Sequence, residues 1–233
     1  MALNLVNALP ARKTIVVGHY GSGKTEFSVS LAMRLSSLGV SKLAIVDLDI
    51  INPYFRSRER REMLSEAGIG VYGSAYDTEI TAELPALGAN SRAPLENPAC
   101  NVIIDSGGNS AGAIVLNQFT QYFTDDETAM IAVINNNRPE TDTVEKAIAH
   151  ITAIEDITQI KVSQIVNNSH LLFDTSTDTI VSGHLFCKKI CAQIGVRLFC
   201  DCYPVGMIDP ENLIGVCEKL LPMGLYMRPM WAS

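Results

Sequence analysis

The chain has 233 residues, 47% of them hydrophobic and 18% charged, which excludes an intrinsically disordered protein and fits a single globular domain spanning residues 1–233. The net charge of −7 argues against broad electrostatic attraction to nucleic acid, so we expect no nucleic-acid partner. No apolar run reaches the length of a membrane span and no secretion signal is evident, so we expect a cytoplasmic protein whose six Cys are thiols.

The first predicted strand, residues 14–17, leads directly into a complete phosphate-binding motif. Residues 18–25 read G-H-Y-G-S-G-K-T, and apolar residues then recur at helical spacing over residues 27–35. Strand, glycine-rich loop and helix are the setting in which the loop N–H groups bind phosphate, the Lys reaches the β- and γ-phosphates and the Thr ligates Mg²⁺. We therefore predict a nucleotide site composed of Gly18, His19, Tyr20, Gly21, Ser22, Gly23, Lys24, Thr25 and the adjoining Glu26.

Two later strands end in carboxylates. The predicted strand over residues 43–47 ends in D-x-D, which points Asp47 and Asp49 the same way, and the strand over residues 102–105 ends in Asp105 followed by S-G-G. Each Asp alone would equally suit a helix cap or a turn. Beside a phosphate loop, however, an apolar strand that ends in Asp commonly holds the water shell of Mg²⁺. We predict a metal site made by Thr25, Asp105 and Asp47, with a structural role for Asp47 left open.

A predicted helix near residues 55–67 carries four Arg within residues 56–61, interleaved with acids. Arg56 and Arg58 lie closest to the D-x-D and are candidates for contacts with phosphate, a partner subunit or an anionic substrate. A solvated helix face explains the same pattern.

The remaining elements alternate between strand and helix. Strands are predicted at residues 70–72, 129–134, 161–166 and 196–199, and helices near residues 111–123, 140–154, 181–194 and 211–220. This order predicts an α/β fold: a three-layer sandwich in which a mostly parallel sheet has helices on both faces. Ligands in such folds lie beyond the carboxyl ends of the strands, where all the motifs above are placed.

The base end of the site is less sharply marked. Neither Asn-rich strand end, residues 135–138 or 167–170, carries the N-K-x-D of many guanine sites, so we favour ATP. Asn167 at a strand end is a candidate for contact with the adenine edge, and equally for an Asx-turn. Cys187, Cys191, Cys200 and Cys202 raise the question of a bound metal, but neither pair is C-x-x-C, and the first pair has the spacing of a buried helix face.

Taken together, the phosphate loop, the D-x-D strand end and the D-x-G-G resemble the MinD/ParA-type branch of the SIMIBI-class P-loop NTPases, which also contains dethiobiotin synthetase and CobQ/CobB-like enzymes. The resemblance implies that Asp49 orients the attacking water with Asp47 in support, that Pro204 belongs to the base-side loop, and that two ATP-bound subunits pack face to face. Proteins of this branch usually carry a signature Lys early in the loop, where this chain has His19. We therefore expect a nucleotide-dependent homodimer that is weak or uses another surface, and an unknown protein partner.

Our first interpretation is an ATP-binding, Mg²⁺-dependent ATPase that acts as a conformational or dimerisation switch, with Lys24 and Asp49 as its catalytic residues. An ATP-dependent synthetase or kinase of a small acidic substrate is the first alternative. The second is a nucleotide-binding regulatory module with negligible turnover.

Overall fold

The structure is a computed structural model that describes residues 3–49, 61–73, 91–108, 110–123 and 126–227. Strands β1–β8 cover Lys13–Val17, Leu43–Asp47, Ile69–Gly73, Asn101–Asp105, Thr128–Ile134, Val162–Asn167, Arg197–Pro204 and Leu220–Met223. Helices α1–α6 cover Lys24–Ser37, Arg61–Glu66, Ala93–Glu96, Ser110–Asn117, Val144–Thr158 and Thr177–Ile194.

The strands form one sheet in the order β3-β2-β4-β1-β5-β6-β7-β8, and every pairing between them is parallel. Alternate side chains of β1 face opposite sides, because Ile15 and Val17 belong to one apolar cluster and Val16 to another. Helix α1 packs on the Val16 side, whereas α4, α5 and α6 pack on the Ile15 side. The predicted three-layer α/β fold with a parallel sheet is confirmed.

The last part of the chain differs from the prediction. Residues 211–220 do not form a helix: a single 3-10 turn at Pro210–Leu213 is followed by Gly215 with φ of 93°, a conformation that helices do not contain. The chain then enters the eighth strand, β8, which pairs with β7. Apolar residues at helical spacing suggested a helix, but the backbone groups of Leu220 instead bond across to Asn4 and Val6.

Helix boundaries follow the capping residues. Helix α5 begins only after Thr143, whose side chain accepts the Lys146 N–H at 3.2 Å, and α6 begins early because Ser176 and Thr179 form a capping box. Helix α4 ends at Asn117, earlier than predicted. Of the predicted Arg-rich helix, only α2 falls within the described residues, and Arg56 and Arg58 lie outside them. Across the described ranges, none of the helices has both the length and the apolar character needed to cross a membrane.

Candidate functional site

The phosphate-binding motif forms the turn between β1 and α1, as predicted. Gly18 has φ of 144°, and a Cβ atom there would collide with the Val133 carbonyl of β5, so only glycine fits. The loop closes on itself through a hydrogen bond from Ser22 N–H to His19 O at 3.1 Å. The buried Ser22 hydroxyl has no hydrogen-bond partner among the described residues.

Lys24 is the first residue of α1 and is 7% exposed. Its Nζ donates a hydrogen bond to His19 O at 3.2 Å, so the ammonium group is held against the loop. Burial lowers the pKa of Lys24, and the nearby negative charges of Asp105 and Asp49 partly oppose that effect. Within the described part of the chain, Lys24 forms no ion pair with either carboxylate, so its charge remains available to a phosphate at the loop.

The three predicted carboxylates lie close together, and two of them are near Lys24. The register of the sheet pairs Asp47 of β2 directly with Asp105 of β4, and the Asp49 N–H donates to Asp47 Oδ1 at 3.1 Å. All three side chains are buried, with exposures of 2% for Asp47, 8% for Asp49 and 1% for Asp105. The parallel sheet thus places side by side two strand ends that are far apart in sequence.

Asp105 is the most perturbed of the three. Burial and the neighbouring Asp47 raise its pKa to about 7, while a hydrogen bond from the Thr25 hydroxyl and the charge of Lys24 act in the opposite direction. Ser28 Oγ also donates to Asp105 Oδ1 at 3.4 Å, whereas the buried Oδ2 has no hydrogen-bond partner among the described residues. A buried carboxylate oxygen with spare capacity, next to a loop Thr hydroxyl, is a donor set that suits Mg²⁺.

The raised pKa of Asp105 makes a testable prediction for the nucleotide-free protein. Between about pH 4 and pH 7 the folded protein binds this proton more tightly than the unfolded chain, so the contribution of Asp105 to stability falls as pH rises through that window. A pKa raised from 3.8 to about 7 corresponds to as much as about 4 kcal/mol. We expect Asp105→Asn, which stays neutral, to raise the melting temperature markedly at about pH 8 and by clearly less at about pH 5.

Thermal unfolding without nucleotide and Mg²⁺ measures this difference, and Asp156→Asn, an exposed acid, is the matched control. An equal effect of Asp105→Asn at both pH values would show that Asp105 does not titrate in this range.

The segment after β4 rests on the phosphate-binding loop. A Cβ atom on Gly108 would lie 2.6 Å from Lys24 Nζ, 2.8 Å from Tyr20 N and 2.9 Å from Gly18 O. Gly107 is equally close to the first turn of α4, because its Cβ would lie 2.8 Å from Gly112 Cα. Both glycines permit a backbone approach that no side chain allows, and they place the D-x-G-G backbone where a terminal phosphate of a nucleotide would meet it.

A cavity of about 380 Å³ extends from the loop along the carboxyl ends of β6, β7 and β8. Its polar end includes Lys24, Thr25 and Asp49. Its other end is mainly apolar and is lined by Leu172, Cys202, Pro204, Met223, Leu225 and Met227. A polar end for phosphates and an apolar end for a flat ring suit a nucleotide.

Most of the predicted loop residues contact this cavity or support it. Tyr20, Gly21, Gly23 and Glu26 line it, and Tyr20 is 61% exposed at its surface. The Glu26 carboxylate accepts backbone N–H groups from Tyr226 at 2.6 Å and from Met227 at 2.8 Å. Glu26 therefore fixes the C-terminal segment that walls the apolar end, a role that the sequence did not suggest.

His19 lies outside the cavity lining. Its ring meets the ring of His150 on α5 edge-on at 5.1 Å, and its Nδ1 is 4.0 Å from Glu140 Oε2. The His19 ring therefore lies against His150 of α5 rather than in the cavity.

The two asparagines at the end of β6, the last residue of the strand and the one after it, have separate positions. Asn167 is fully buried, and its amide donates to Ile180 O at 3.0 Å and to Asp201 Oδ1 at 2.7 Å, so its side chain supports the fold beneath the cavity. Asn168 lines the cavity and donates to Ser22 O at 2.7 Å. A base contact by Asn167 stays a prediction that these bonds do not favour, whereas Pro204 does lie at the apolar end.

The cysteine pairs do not form a ligand set within the described residues. Cys187, Cys191, Cys200 and Cys202 are all buried thiols, and burial raises the pKa of Cys187, Cys191 and Cys202. The one group of potential metal ligands found in the described ranges is instead His184, Asp201 and Cys217. There Asp201 accepts hydrogen bonds from His184 Nδ1 at 2.9 Å and from Asn167, which accounts for the buried charge without an ion.

Comparison with known proteins supports the fold. The sequence matches no protein-family model and has no significant match among curated proteins. Among solved structures, the cell division protein FtsY of Thermotoga maritima is similar with a TM-score of 0.56 at 18% identity, over 92% of this chain and 70% of that one. The signal recognition particle 54 kDa protein of Aeropyrum pernix K1, in complex with GDP, is similar with a TM-score of 0.54 at 20% identity, over 83% of this chain but only 42% of that one. At these identities the likeness establishes the P-loop NTPase fold alone.

Proposed function

We propose that this protein is an ATP-binding, Mg²⁺-dependent P-loop ATPase that switches conformation or self-association with its bound nucleotide. The observation that carries the proposal is the position of Asp105 beside the loop: the end of β4 pairs with β1 directly before the loop, Ser28 of α1 donates to Asp105 Oδ1, and the buried Oδ2 has no hydrogen-bond partner among the described residues. The D-x-D and D-x-G-G at two strand ends of this chain resemble those of MinD/ParA-type proteins, and this resemblance supports the same assignment.

Each residue has a defined task in this proposal. The loop N–H groups and the Lys24 ammonium bind the β- and γ-phosphates, and Asp49, which lines the cavity beside Lys24, orients the attacking water. Thr25 and Asp105 would hold Mg²⁺, with Asp47 in support. When bound, the metal would neutralise charge on the phosphates.

Adenine suits the apolar end better than guanine does. A guanine site typically presents a carboxylate to two N–H groups of the base edge, as in N-K-x-D. Among the described residues, two carboxylates line the cavity: Asp49 lies near Lys24, and Glu26 accepts two backbone N–H groups. The complex of the similar Aeropyrum protein with GDP does not decide the base, because the two chains share only 20% identity.

The nucleotide-dependent dimer is part of the proposal. His19 contacts His150 and Glu140 and stands where these proteins usually carry a signature Lys, so we propose an association that is weak or uses another surface. Nothing in the described residues favours a synthetase, and the acidic-substrate candidates Arg56 and Arg58 lie outside them.

The test compares ATP with GTP in calorimetric titrations with and without Mg²⁺, followed by phosphate release and by sedimentation with ADP and a non-hydrolysable ATP analogue. We expect tighter Mg²⁺-dependent binding of ATP, slow phosphate release, and a sedimentation coefficient that depends on the nucleotide. Tighter binding of GTP would reverse the base assignment. An oligomer insensitive to nucleotide, with turnover that needs a small acidic molecule, would favour the synthetase, and binding without any turnover would favour the regulatory module.

A further inference from the structure

Arg138 lies on the turn that follows β5, directly beside the phosphate-binding loop. The turn is fixed from within: the Arg138 N–H donates to Asn135 O at 3.3 Å, and Thr141 N–H donates to Arg138 O at 2.9 Å. Thr141 Oγ1 also donates to Asn135 O at 2.8 Å. The backbone that carries Arg138 is therefore held in place before any ligand binds.

The guanidinium group contacts the middle of the loop. Its Nε donates to Gly21 O at 2.9 Å, and a Cβ atom on Gly21 would lie 3.2 Å from that Nε and 3.3 Å from Cζ. A side chain at position 21 would crowd the arginine, and the φ of 75° at Gly21 also disfavours one. The bond to Gly21 uses one of the five N–H groups of the guanidinium, and Arg138 lines the cavity together with Lys24 and Thr25.

The charge of Arg138 has no acidic counterpart in the described part of the chain. No carboxylate there lies within ion-pair distance of it, and the nearby Glu140 approaches His19 instead. Lys24, which also lines the cavity, forms no ion pair with a carboxylate of the described residues either. Two cationic side chains therefore line one cavity, and one of them is a planar guanidinium whose position is already fixed. This pair is suited to an anion with several oxygens.

We infer that Arg138 is a phosphate-binding residue of this site, which holds the loop through Nε and contacts the di- or triphosphate of the nucleotide through its remaining N–H groups. The inference rests on the proposed binding of a nucleotide at the loop and adds to it a cation from the same chain. No motif in the sequence marks this role, because Arg138 follows the Asn-rich end of β5 and precedes the helix that carries His150.

The decisive experiment measures the affinity of Arg138→Ala, Arg138→Lys and the wild type for ATP, ADP and adenosine over a series of salt concentrations. Loss of a charge-assisted contact to phosphate predicts that Arg138→Ala binds ATP and ADP about 10- to 100-fold more weakly, with a shallower dependence on salt. Affinity for adenosine should be unchanged. Arg138→Lys should recover part of the affinity and the salt dependence, because it restores the charge without the fork.

Arg34→Ala is the matched control, since Arg34 of α1 also donates Nε to a backbone carbonyl, that of Val6 at 3.2 Å, and does not line the cavity. It should bind all three ligands as the wild type does. If Arg138→Ala lost ATP and adenosine equally, or kept its salt dependence, Arg138 would act on the loop alone and the inference would be wrong. If the wild type bound no nucleotide, the proposed function itself would fail, a result distinct from a wild type that binds and an Arg138→Ala that binds equally well.

Discussion

We expect Lys24→Ala to abolish the thermal stabilisation of this protein by ATP and Mg²⁺. A ligand present at about a hundred times its Kd adds about 2.7 kcal/mol to stability, which for a chain of this size raises the melting temperature by about 5–10 °C. Lys24 supplies the charge that the loop presents to the phosphates, so its removal should leave no shift at the same ATP concentration. Melting curves with and without ATP and Mg²⁺ provide the measurement.

The variant should still fold, because burial of the Lys24 ammonium costs desolvation free energy in the nucleotide-free protein and alanine removes that cost. Lys161→Ala is the matched control: this lysine is exposed, pairs with Glu155 at 2.6 Å, and should leave the shift intact. A full shift retained by Lys24→Ala would place the nucleotide elsewhere in the molecule.

The second large effect separates two of the carboxylates. We expect Asp49→Ala to bind ATP nearly as well as the wild type but to release phosphate roughly a hundredfold more slowly, because Asp49 is proposed to act on the water. We expect Asp105→Ala to lose about 10- to 100-fold in Mg²⁺-dependent affinity, because Asp105 is proposed to act through the metal and through Thr25.

Titrations with Mg²⁺ and with EDTA, together with single-turnover phosphate release, distinguish the two variants. The EDTA arm is the internal control, since Asp105→Ala and the wild type should converge there. Should Asp49→Ala lose binding while its turnover at saturation stays normal, the roles of the two residues are misassigned.

Much of the site was predictable because its signals are local. A phosphate-binding loop requires glycines at fixed places, and a strand that ends in Asp is recognisable within five residues of sequence. The pairing of strands in the parallel sheet then determines which of these residues meet. Because β2 and β4 are neighbours in this register, Asp47 and Asp105 lie side by side. The sequence could not give that pairing, but its alternation of strands and helices predicted the fold class that produces it.

The remainder depended on contacts that no local pattern encodes. Asn167 and Asn168 are identical residues next to each other in the sequence, but their side chains point in different directions. Asn167 bonds Asp201 in the interior, and Asn168 bonds Ser22 of the loop. Which of the two reaches the cavity can therefore be decided only from the fold. The strand at Leu220–Met223 pairs with the edge of β7, whereas the sequence predicted a helix over residues 211–220 and no strand after it. Arg138 becomes recognisable only when β5 is known to lie against β1.

The tight contact between Gly107 and Gly112 has a consequence for how a signal would leave this site. Gly108 rests on the loop, Gly107 abuts the first turn of α4, and α4 is tied to the end of α5 by the Asn117 amide, which donates to Ile157 O at 2.9 Å. In the proposed nucleotide switch, we expect a terminal phosphate that displaces Gly108 to displace α4 as well, because no side chain lies between Gly107 and Gly112. The outer face of α4 carries Ile114, which is 57% exposed. A fluorescent label at this position would therefore report, from the opposite side of the sheet to α1, whether the third phosphate is present.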